Sequence, residues 1–358
     1  MIIKGYTFAA LYIFKEKTKG SDPLTIRANL EANEKQTLSP FASLSSESRG
    51  RVRPLQSDDV RTEYMRDRDR ILHSKAFRRL KDKTQVFLSP QGDHYRTRLV
   101  HTLEVSQLSR TVAKALKLNE DLVEAIALGH DLGHTPFGHA GERALNKLSP
   151  YGFRHYEQSV RVVERLESGG KGLNLTWEVR DGILNHQMEL MPATLEGRIV
   201  RLCDKIAYIH HDMDDAERAG IIDESMVPEH LHRVLGTTHK ERLNTLIMDM
   251  IFQSEGKPDI LQSPEIRDAM MEIRKLMFRI VYTDSIAKVE EVKVTRMLEQ
   301  MYHYYLDHPE EMTEEFRMLL EEGEPKEKVI CDYISGMTDQ YCIYCYNTLF
   351  VPKSWDIF

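Results

Sequence analysis

The side chains best suited to chemistry in this sequence are concentrated in one short run, residues 128–142. Three histidines and two acids lie in it, among glycines, a proline and small apolar residues: His130, Asp131, His134, His139 and Glu142. An adjacent histidine and aspartate offer an imidazole nitrogen and a carboxylate oxygen at one place. That mixture suits Mn, Fe, Zn or Mg with open coordination positions. The glycines and Pro136 favour a sharp turn, so these side chains can converge. The run therefore predicts metal-dependent hydrolysis of a phosphate ester.

Helical periodicity brings a further histidine toward the same interior. His101 precedes Val105 by four residues, so it shares the apolar face of a helix predicted over residues 97–116. The same spacing carries His130 to the inner end of a helix predicted over residues 121–130. Both helices therefore direct an imidazole toward the protein interior.

Asp204 is the predicted fourth metal ligand. It lies within a helix predicted over residues 194–219, where an unpaired buried carboxylate would be costly. Taken singly, His101 has the more common interpretation of a hydrogen-bonded core histidine, and Asp204 fits a buried pair with Lys205 or Arg201. Combined with the adjacent His-Asp pair, the pattern predicts one metal held by two imidazoles and two carboxylates. Two octahedral positions then stay free for water and a phosphate oxygen.

The rest of the sequence predicts an all-α globule. Further helices are predicted over residues 25–35, 61–83, 157–166, 178–186, 229–252, 263–282 and 286–307, with two or three more before the C-terminus. Alternating arginine and aspartate within residues 61–83 predict an ion-paired outer face. Strand alternation is brief and confined to residues 84–88. Residues 1–53 are predicted to form a partly mobile N-terminal extension or arm, and residues 54–358 one continuous body.

Composition restricts the location of the protein and its partners. The net charge of -7 argues against a general nucleic-acid coat or a membrane-surface binder. No apolar stretch approaches the length needed to span a bilayer. Four cysteines without secretory context indicate a reducing cytoplasm. Cys342 and Cys345 form a CxxC, but no second CxxC completes a zinc site, so they are interpreted as buried thiols.

Longer strings around these residues resemble a known family. The pattern of His101, His130-Asp131 and Asp204 looks like the HD superfamily of metal-dependent phosphohydrolases. Strings similar to those of the bacterial deoxyguanosinetriphosphate triphosphohydrolase-like proteins extend from about residue 27 to the C-terminus: residues 77–87, 94–105, 129–142, 185–186, 204–208 and 332–339. The resemblance implies an HD-domain helical globule with its HD core at about residues 95–220 and additional C-terminal helices.

The resemblance also implies a reaction and a cofactor. The reaction is hydrolysis of a deoxynucleoside triphosphate (dNTP) to the deoxynucleoside and inorganic triphosphate, by attack at the α-phosphorus. One divalent metal, whose identity among Mn, Mg, Fe, Ni, Co and Zn stays open, is implied at His101, His130, Asp131 and Asp204. A homo-oligomer is expected. A second Mg²⁺ bound with the triphosphate, an activating dNTP at a separate site and the preferred dNTP all stay open.

His139 and Glu142 match the family's catalytic pair, and His134, which matches a phosphate contact, is counted with them as a catalytic candidate. Because His139 and Glu142 are three residues apart at the start of a predicted helix, Glu142 can orient and charge the imidazole of His139. That imidazole then protonates the leaving 5′ oxygen or helps to activate water. An interpretation of His139 as a helix-capping polar residue also stays open.

Further positions match the family's substrate contacts. Arg98 and Lys205 offer the positive charge that a triphosphate needs, although each taken singly is interpreted as a solvated charge. Two histidines match phosphate contacts: His134 and His155. Gln85, Asp212 and Tyr282 match positions that line the family's deoxyribose pocket. Tyr208 lies one turn beyond Asp204, where its aromatic ring is placed to hold the sugar.

Two other functions stay open. An HD-type phosphodiesterase or nucleotidase on another phosphate ester is one, with His155 and His186 holding a second metal as in two-metal HD phosphodiesterases. The flanking strings favour the triphosphohydrolase branch instead. A non-catalytic protein that binds nucleotides or single-stranded nucleic acid is the other, supported by the arginines of residues 61–79 and 96–110. The intact ligand set and the pair of His139 with Glu142 favour an enzyme.

Overall fold

The structure of the chain is a computed structural model that describes residues 25–85, 96–218, 220–283 and 287–353, without the side chains of residues 281–289. In these residues the α-helices are α1 (Ile26–Thr37), α2 (Glu63–Leu72), α3 (Lys75–Arg79), α4 (Arg98–Ala115), α5 (Glu120–Gly129), α6 (Gly138–Leu148), α7 (His155–Arg161), α8 (Glu167–Gly170), α9 (Trp177–Leu184), α10 (Leu195–Arg218), α11 (Glu229–Leu235), α12 (His239–Ser254), α13 (Pro264–Met277), α14 (Ala287–Asp307), α15 (Glu314–Glu321), α16 (Lys326–Ser335) and α17 (Asp339–Phe350). Short 3-10 helices occupy Ser45–Glu47, Leu80–Asp82, Glu224–Met226 and Pro309–Glu311, and π-helical turns occupy Val162–Leu166 and Phe278–Thr283. No strand occurs within these ranges, which confirms the predicted all-α class.

The single helix predicted over residues 61–83 is wrong. The segment is divided into α2, α3 and the 3-10 helix Leu80–Asp82. The hydroxyl of Ser74 accepts a hydrogen bond from a backbone N–H three residues later at 3.1 Å, which starts a new helix just after α2 ends. The predicted ion-paired face is confirmed, for example by the contact of Arg68 with Asp121 at 3.0 Å.

The single helix predicted over residues 229–252 is also wrong. Gly236 has φ +108°, a conformation outside the helix, and separates α11 from α12. Thr238 and Glu241 then form a capping box that starts α12.

The brief strand predicted over residues 84–88 reduces to an isolated bridge between Thr84 and Thr97, and residues 86–88 lie outside the described part of the chain.

Buried apolar side chains form two separate clusters. The first, here called the first core, joins α2, α4, α5, α9 and α10 and includes Val105, Ile126 and Ile206. The second, here called the second core, joins one face of α6 to α14, α15, α16 and α17, and includes Leu145 and Ile334. Helix α4 packs along α5 and α10 inside the first core, whereas α6 packs against α14. The helix that follows the His-Asp turn therefore belongs to a different core from the helices that precede it.

Buried carboxylates bind the described part of the predicted arm, residues 25–53, to the helical body. Glu196 of α10 accepts hydrogen bonds from the backbone N–H of Ser43 at 2.9 Å and from its hydroxyl at 3.0 Å. Glu178 of α9 accepts from the backbone N–H of Arg49 at 2.7 Å. These bonds fix the backbone of the segment against α9 and α10. The boundary between arm and body at residue 53 stays a prediction.

Two expectations from composition bear on the described residues. All four cysteines are free and buried, which confirms their interpretation as buried thiols. Among the helices described, none has both the length and the apolar character that crossing a membrane requires.

Candidate active site

The turn between α5 and α6 carries His130 into the interior and returns the chain as α6. Gly133 approaches α7 so closely that an added Cβ would lie 2.1 Å from the backbone nitrogen of Ser159. The hydroxyl of Ser159 accepts from the N–H of Gly133 at 2.9 Å and donates to the carbonyl of His130 at 2.7 Å. Further along, Phe137 has φ +61°, which is uncommon for a residue with a side chain. The turn therefore has a close-packed and sterically demanding backbone.

The four predicted metal ligands converge on one centre. Nε2 of His101 on α4 lies 3.1 Å from Oδ1 of Asp204 on α10. Nε2 of His130 lies 3.7 Å from the same oxygen and 3.6 Å from Oδ1 of Asp131. Separations of this size are about those of neighbouring ligand atoms around an ion bound at roughly 2.0–2.6 Å. All four side chains are buried; ligand atoms of His101, His130 and Asp131 lie within 4.8 Å of one another, and Asp204 joins them through its contacts with the two histidines.

In both Asp131 and Asp204 one carboxylate oxygen faces this centre, and the other accepts a hydrogen bond from a positively charged side chain. Oδ2 of Asp131 accepts from Arg98 at 2.8 Å, and Oδ2 of Asp204 accepts from Lys205 at 2.7 Å. Burial alone would raise the pKa of both carboxyls. Neighbouring side chains overcome it and hold each pKa below its usual value, His130 and Arg98 beside Asp131 and chiefly Lys205 beside Asp204. Both acids are therefore ionised and ready to bind a cation.

The donor set fits a divalent metal. Nδ1–H of His130 donates to the carbonyl of Ala127 at 2.6 Å, which leaves Nε2 as an acceptor. That nitrogen is buried and has no hydrogen-bond partner among the described residues. A buried lone pair beside two ionised carboxylates is a site for a cation, and the mixed nitrogen and oxygen ligands suit a transition metal or Mg²⁺.

His139 and Glu142 meet on the first turns of α6. Nδ1 of His139 lies 3.4 Å from Oε2 of Glu142. The other oxygen, Oε1, accepts from the backbone N–H and from Nδ1–H of His155, each at 2.9 Å. One carboxylate therefore orients two imidazoles. Phe137 occupies the N-cap of α6, so the interpretation of His139 as the helix-capping residue is wrong.

Electrostatics differ between the two members of this pair. Burial would raise the pKa of Glu142, but its hydrogen bonds with His139 and His155 hold the pKa well below the usual value. The depth of His139 within the protein, together with the charge of Arg98, lowers the pKa of its imidazole. Even so, 42% of the His139 side chain is exposed, because the ring opens into a cavity. The acid is thus ionised while the histidine is a neutral ring within reach of a ligand.

A further group of histidines adjoins the pair. His134 stacks on His155 with ring centroids 4.3 Å apart. Nε2 of His155 lies 3.3 Å from Nε2 of His186, and the amide nitrogen of Gln187 donates to both, at 2.9 and 2.8 Å. Burial lowers the pKa of His186 to about 3, so its ring is neutral. A second metal at His155 and His186 stays a prediction.

These groups open into one cavity of about 610 Å³. Of the residues predicted to contact substrate, its wall includes Gln85, Arg98, His134, His155, Lys205 and Tyr208. Asp212 is 1% exposed on α10 and is outside the described wall. The side chain of Tyr282 lies outside the described part of the structure. The cavity is within the size range of small-molecule sites, and it joins the metal cluster to the catalytic pair.

The sequence interpretation missed several residues of the wall. Arg143 follows His139 by four residues, a spacing that would have placed it on the same face of α6. No such local signal existed for Arg154, Gln187, Arg274 or Phe278, which come from other elements. Five positively charged side chains therefore line the cavity: Arg98, Arg143, Arg154, Lys205 and Arg274.

The buried His-His-Asp-Asp cluster in an all-α fold defines a metal-dependent phosphohydrolase of the HD class. A family model described as HD domain matches residues 98–209, which span α4 to α10 and contain the four predicted ligands. A second model, described as phosphohydrolase-associated domain, matches residues 260–348, which include most of the second core.

Curated relatives define the branch. A "deoxyguanosinetriphosphate triphosphohydrolase-like protein" of Caldanaerobacter subterraneus subsp. tengcongensis is 54% identical over 93% of this chain and 98% of its own length. Proteins with the same description from Clostridium perfringens (strain SM101) and Geobacter sulfurreducens are 49% and 37% identical, over 92% and 89% of this chain and 99% and 96% of their own lengths. The chain belongs to the family of deoxyguanosinetriphosphate triphosphohydrolase-like proteins, as its motifs predict.

Proposed function

We propose that the protein hydrolyses dNTPs to the deoxynucleoside and inorganic triphosphate. One observation carries the proposal: the metal-ligand cluster and the pair of His139 with Glu142 open into the same cavity, whose wall holds five positively charged side chains. A triphosphate carries about four negative charges at neutral pH, and arginines are the residues best suited to bind its oxygens. The family description of the relatives supports the same substrate class.

The proposed metal ligands are His101, His130, Asp131 and Asp204. A divalent ion bound there supplies Lewis-acid polarisation of the phosphate oxygens and offsets their charge. Arg98 and Lys205 hold the outer oxygens of the two carboxylates, so they fix the orientation of the inner oxygens.

The proposed proton donor is His139, positioned by Glu142. Nδ1 of His139 faces the carboxylate of Glu142, and Nε2 is the atom assigned to the 5′ oxygen of the leaving deoxynucleoside. In the free protein the pKa of His139 is lowered, so the neutral ring predominates. The negative charge of a bound triphosphate favours the protonated ring, which couples proton uptake to substrate binding.

Phosphate and sugar contacts complete the proposal. The phosphate contacts are assigned to His134, His155, Arg98 and Lys205, with Arg143 and Arg274 as added cations. The deoxyribose contacts are assigned to Gln85, Tyr208 and Tyr282, where an aromatic ring against the 2′ carbon excludes a ribose hydroxyl. Asp212, which is buried one turn beyond Tyr208 and outside the described wall, stays a prediction. The buried Oε1 of Gln85 has no hydrogen-bond partner among the described residues, which supports a role for Gln85 in binding the sugar.

The test is turnover of all four dNTPs, singly and mixed, with Mn²⁺ or Mg²⁺, while tripolyphosphate, pyrophosphate and orthophosphate are quantified separately. We expect tripolyphosphate and deoxynucleoside in equal amounts. Release of pyrophosphate, orthophosphate or a nucleoside monophosphate would instead identify a phosphodiesterase or nucleotidase. Nucleotide binding without any product would identify the non-catalytic alternative.

A further inference from the structure

The turn that ends at His139 is held from outside the HD domain by one buried carboxylate. Asp339 is the first residue of α17 and is 3% exposed. Its Oδ1 accepts from the backbone N–H of Phe137 at 2.9 Å, and its Oδ2 accepts from the backbone N–H of Thr84 at 3.1 Å. Phe137 is the left-handed residue two positions before His139, so the bond fixes the most demanding point of the turn.

A second buried tie joins the same turn to α16. Nζ of Lys83 donates to the carbonyl of His134 at 2.5 Å and to the carbonyl of Ser335 at 2.8 Å. Lys83 is 2% exposed. The middle of the turn, at His134, and its end, at Phe137, are therefore both bound to the C-terminal helices.

We propose that Asp339 is a positioning residue for His139, with Lys83 as the second tie, so that the C-terminal helices complete the catalytic turn. This inference rests on the proposed function, in which His139 moves the proton. It makes the region from α14 to α17 part of the catalytic apparatus, although the described wall of the cavity contains none of its side chains.

The physical basis is the chemistry of a carboxylate. Two oxygens without hydrogens can accept both backbone N–H groups, whereas an amide of the same size presents one oxygen and one NH₂ group. In Asp339→Asn one of the two buried backbone N–H groups therefore faces the NH₂ group of the amide, which is also a donor. We expect the turn to move away from this contact between two donors. Two metal ligands, His101 and Asp204, lie on α4 and α10 in the first core. His130 and Asp131 are the first two residues of the turn, next to the end of α5 and six or more residues before Phe137, so we expect the cluster to stay assembled.

The matched control is Glu196→Gln. Glu196 is also a fully buried carboxylate, but it does not touch the catalytic turn: its Oε1 accepts from the backbone N–H groups of Ser43 at 2.9 Å and Asn119 at 3.1 Å, and its Oε2 accepts from the Ser43 hydroxyl at 3.0 Å. Both variants replace a buried, hydrogen-bonded carboxylate by an amide, and both are expected to lose stability. Only Asp339→Asn is expected to lower kcat, by about tenfold to a hundredfold, since displacing a catalytic group by about 1 Å costs roughly this much. Its KM and bound metal stay at the wild-type values.

A double variant distinguishes positioning from a general defect. If Asp339 acts through His139, Asp339→Asn has no further effect on kcat in the His139→Ala background, measured by single-turnover release of tripolyphosphate. Equal losses of kcat in both backgrounds would overturn the inference. The inference would also be overturned if Asp339→Asn lowered the Tm as Glu196→Gln does but kept the kcat of the wild type. A loss of kcat in Asp339→Asn that accompanies loss of bound metal would overturn it as well.

A readout independent of activity separates this inference from the proposed function. In protein labelled with ¹³C and ¹⁵N at histidine, Asp339→Asn is expected to shift the ring resonances of His139 and His134, and Glu196→Gln to leave them unchanged. Unshifted rings would refute the positioning role whatever the substrate. If wild-type protein releases no tripolyphosphate from any dNTP while the rings do shift, the proposed function fails and the positioning inference stands.

Discussion

The proposed metal ligands and the proposed catalytic pair, His139 with Glu142, rest on two different hydrophobic cores. His101, His130 and Asp204 are delivered by α4, α5 and α10, whose apolar faces pack together in the first core. His139 and Glu142 are delivered by α6, whose apolar face packs in the second core with the C-terminal helices. The close approach of the two groups therefore depends on the turn between α5 and α6 and on the ties that hold it.

This difference implies that metal binding and proton transfer can be disturbed separately. A change in the first core should act on the metal, and a change in the second core should act on His139. The turn belongs to both, which explains why buried side chains as far apart in the sequence as Lys83 and Asp339 bind its backbone.

Asp204→Ala should have the largest effect. The change removes a ligand whose Oδ1 faces both metal-site histidines and leaves Lys205 buried without its carboxylate. We expect bound metal and activity to be lost together, with activity reduced by on the order of 10³-fold or more. The matched control is Asp214→Ala on the same helix, where the carboxylate bonds to Arg96. Metal analysis and tripolyphosphate release check both variants, and an Asp204→Ala protein that keeps its metal would contradict the ligand assignment.

His139→Ala should reduce activity next most. General acid–base groups contribute about 10²–10⁴-fold, so a loss of that size is expected while bound metal is unchanged. His308→Ala, a histidine on the exposed surface near the end of α14, is the control. Metal content is measured by elemental analysis, and activity by product release. Loss of metal in His139→Ala would show that the two sites are not separable in the way the two cores suggest.

A pair of cavity-forming substitutions compares the cores directly. Ile199 on α10 and Ile334 on α16 are both 0% exposed and belong to the first and second core respectively. Each change to Ala should lower the free energy of unfolding by about 2–5 kcal/mol. Under conditions where both variants stay folded, we expect Ile199→Ala to weaken metal affinity and Ile334→Ala to lower kcat at full metal occupancy. The opposite assignment, or identical effects, would remove the distinction between the cores.

Lys83, which binds the turn between the two cores, should have a smaller, pH-dependent effect on the free energy of unfolding. Burial lowers the pKa of its ammonium to about 7, below the ordinary lysine value of 10.5. Between these two pH values the unfolded chain binds more protons than the folded protein, so the free energy of unfolding rises with pH. The slope is at most about 1.4 kcal/mol per pH unit. We expect Lys83→Met to remove this rise and Lys81→Met, at an exposed position, to retain it, as measured by urea unfolding from pH 7 to pH 10. A slope equal to that of the wild type in Lys83→Met would show that Lys83 is not the titrating group.

Local patterns in the sequence were enough to predict most helices and to propose the centre of the site. Periodic apolar residues placed His101 and His130 on inward faces, because the period of a helix is a local property of consecutive residues. The helix breaks at Ser74 and Gly236 were missed, although each is local. Their signals, a hydroxyl cap and a glycine with φ +108°, lay within otherwise continuous helical patterns.

The residues that surround this centre come from distant helices, and only the tertiary structure shows them. Arg274 reaches the cavity from α13, and Asp339 reaches the catalytic turn from α17, across 202 residues of sequence from Phe137. Such contacts depend on how helices pack, and no spacing within one segment encodes them. The same holds for the division of the site between two cores, since α5 and α6 are neighbours in the chain but bury their apolar faces against different partners.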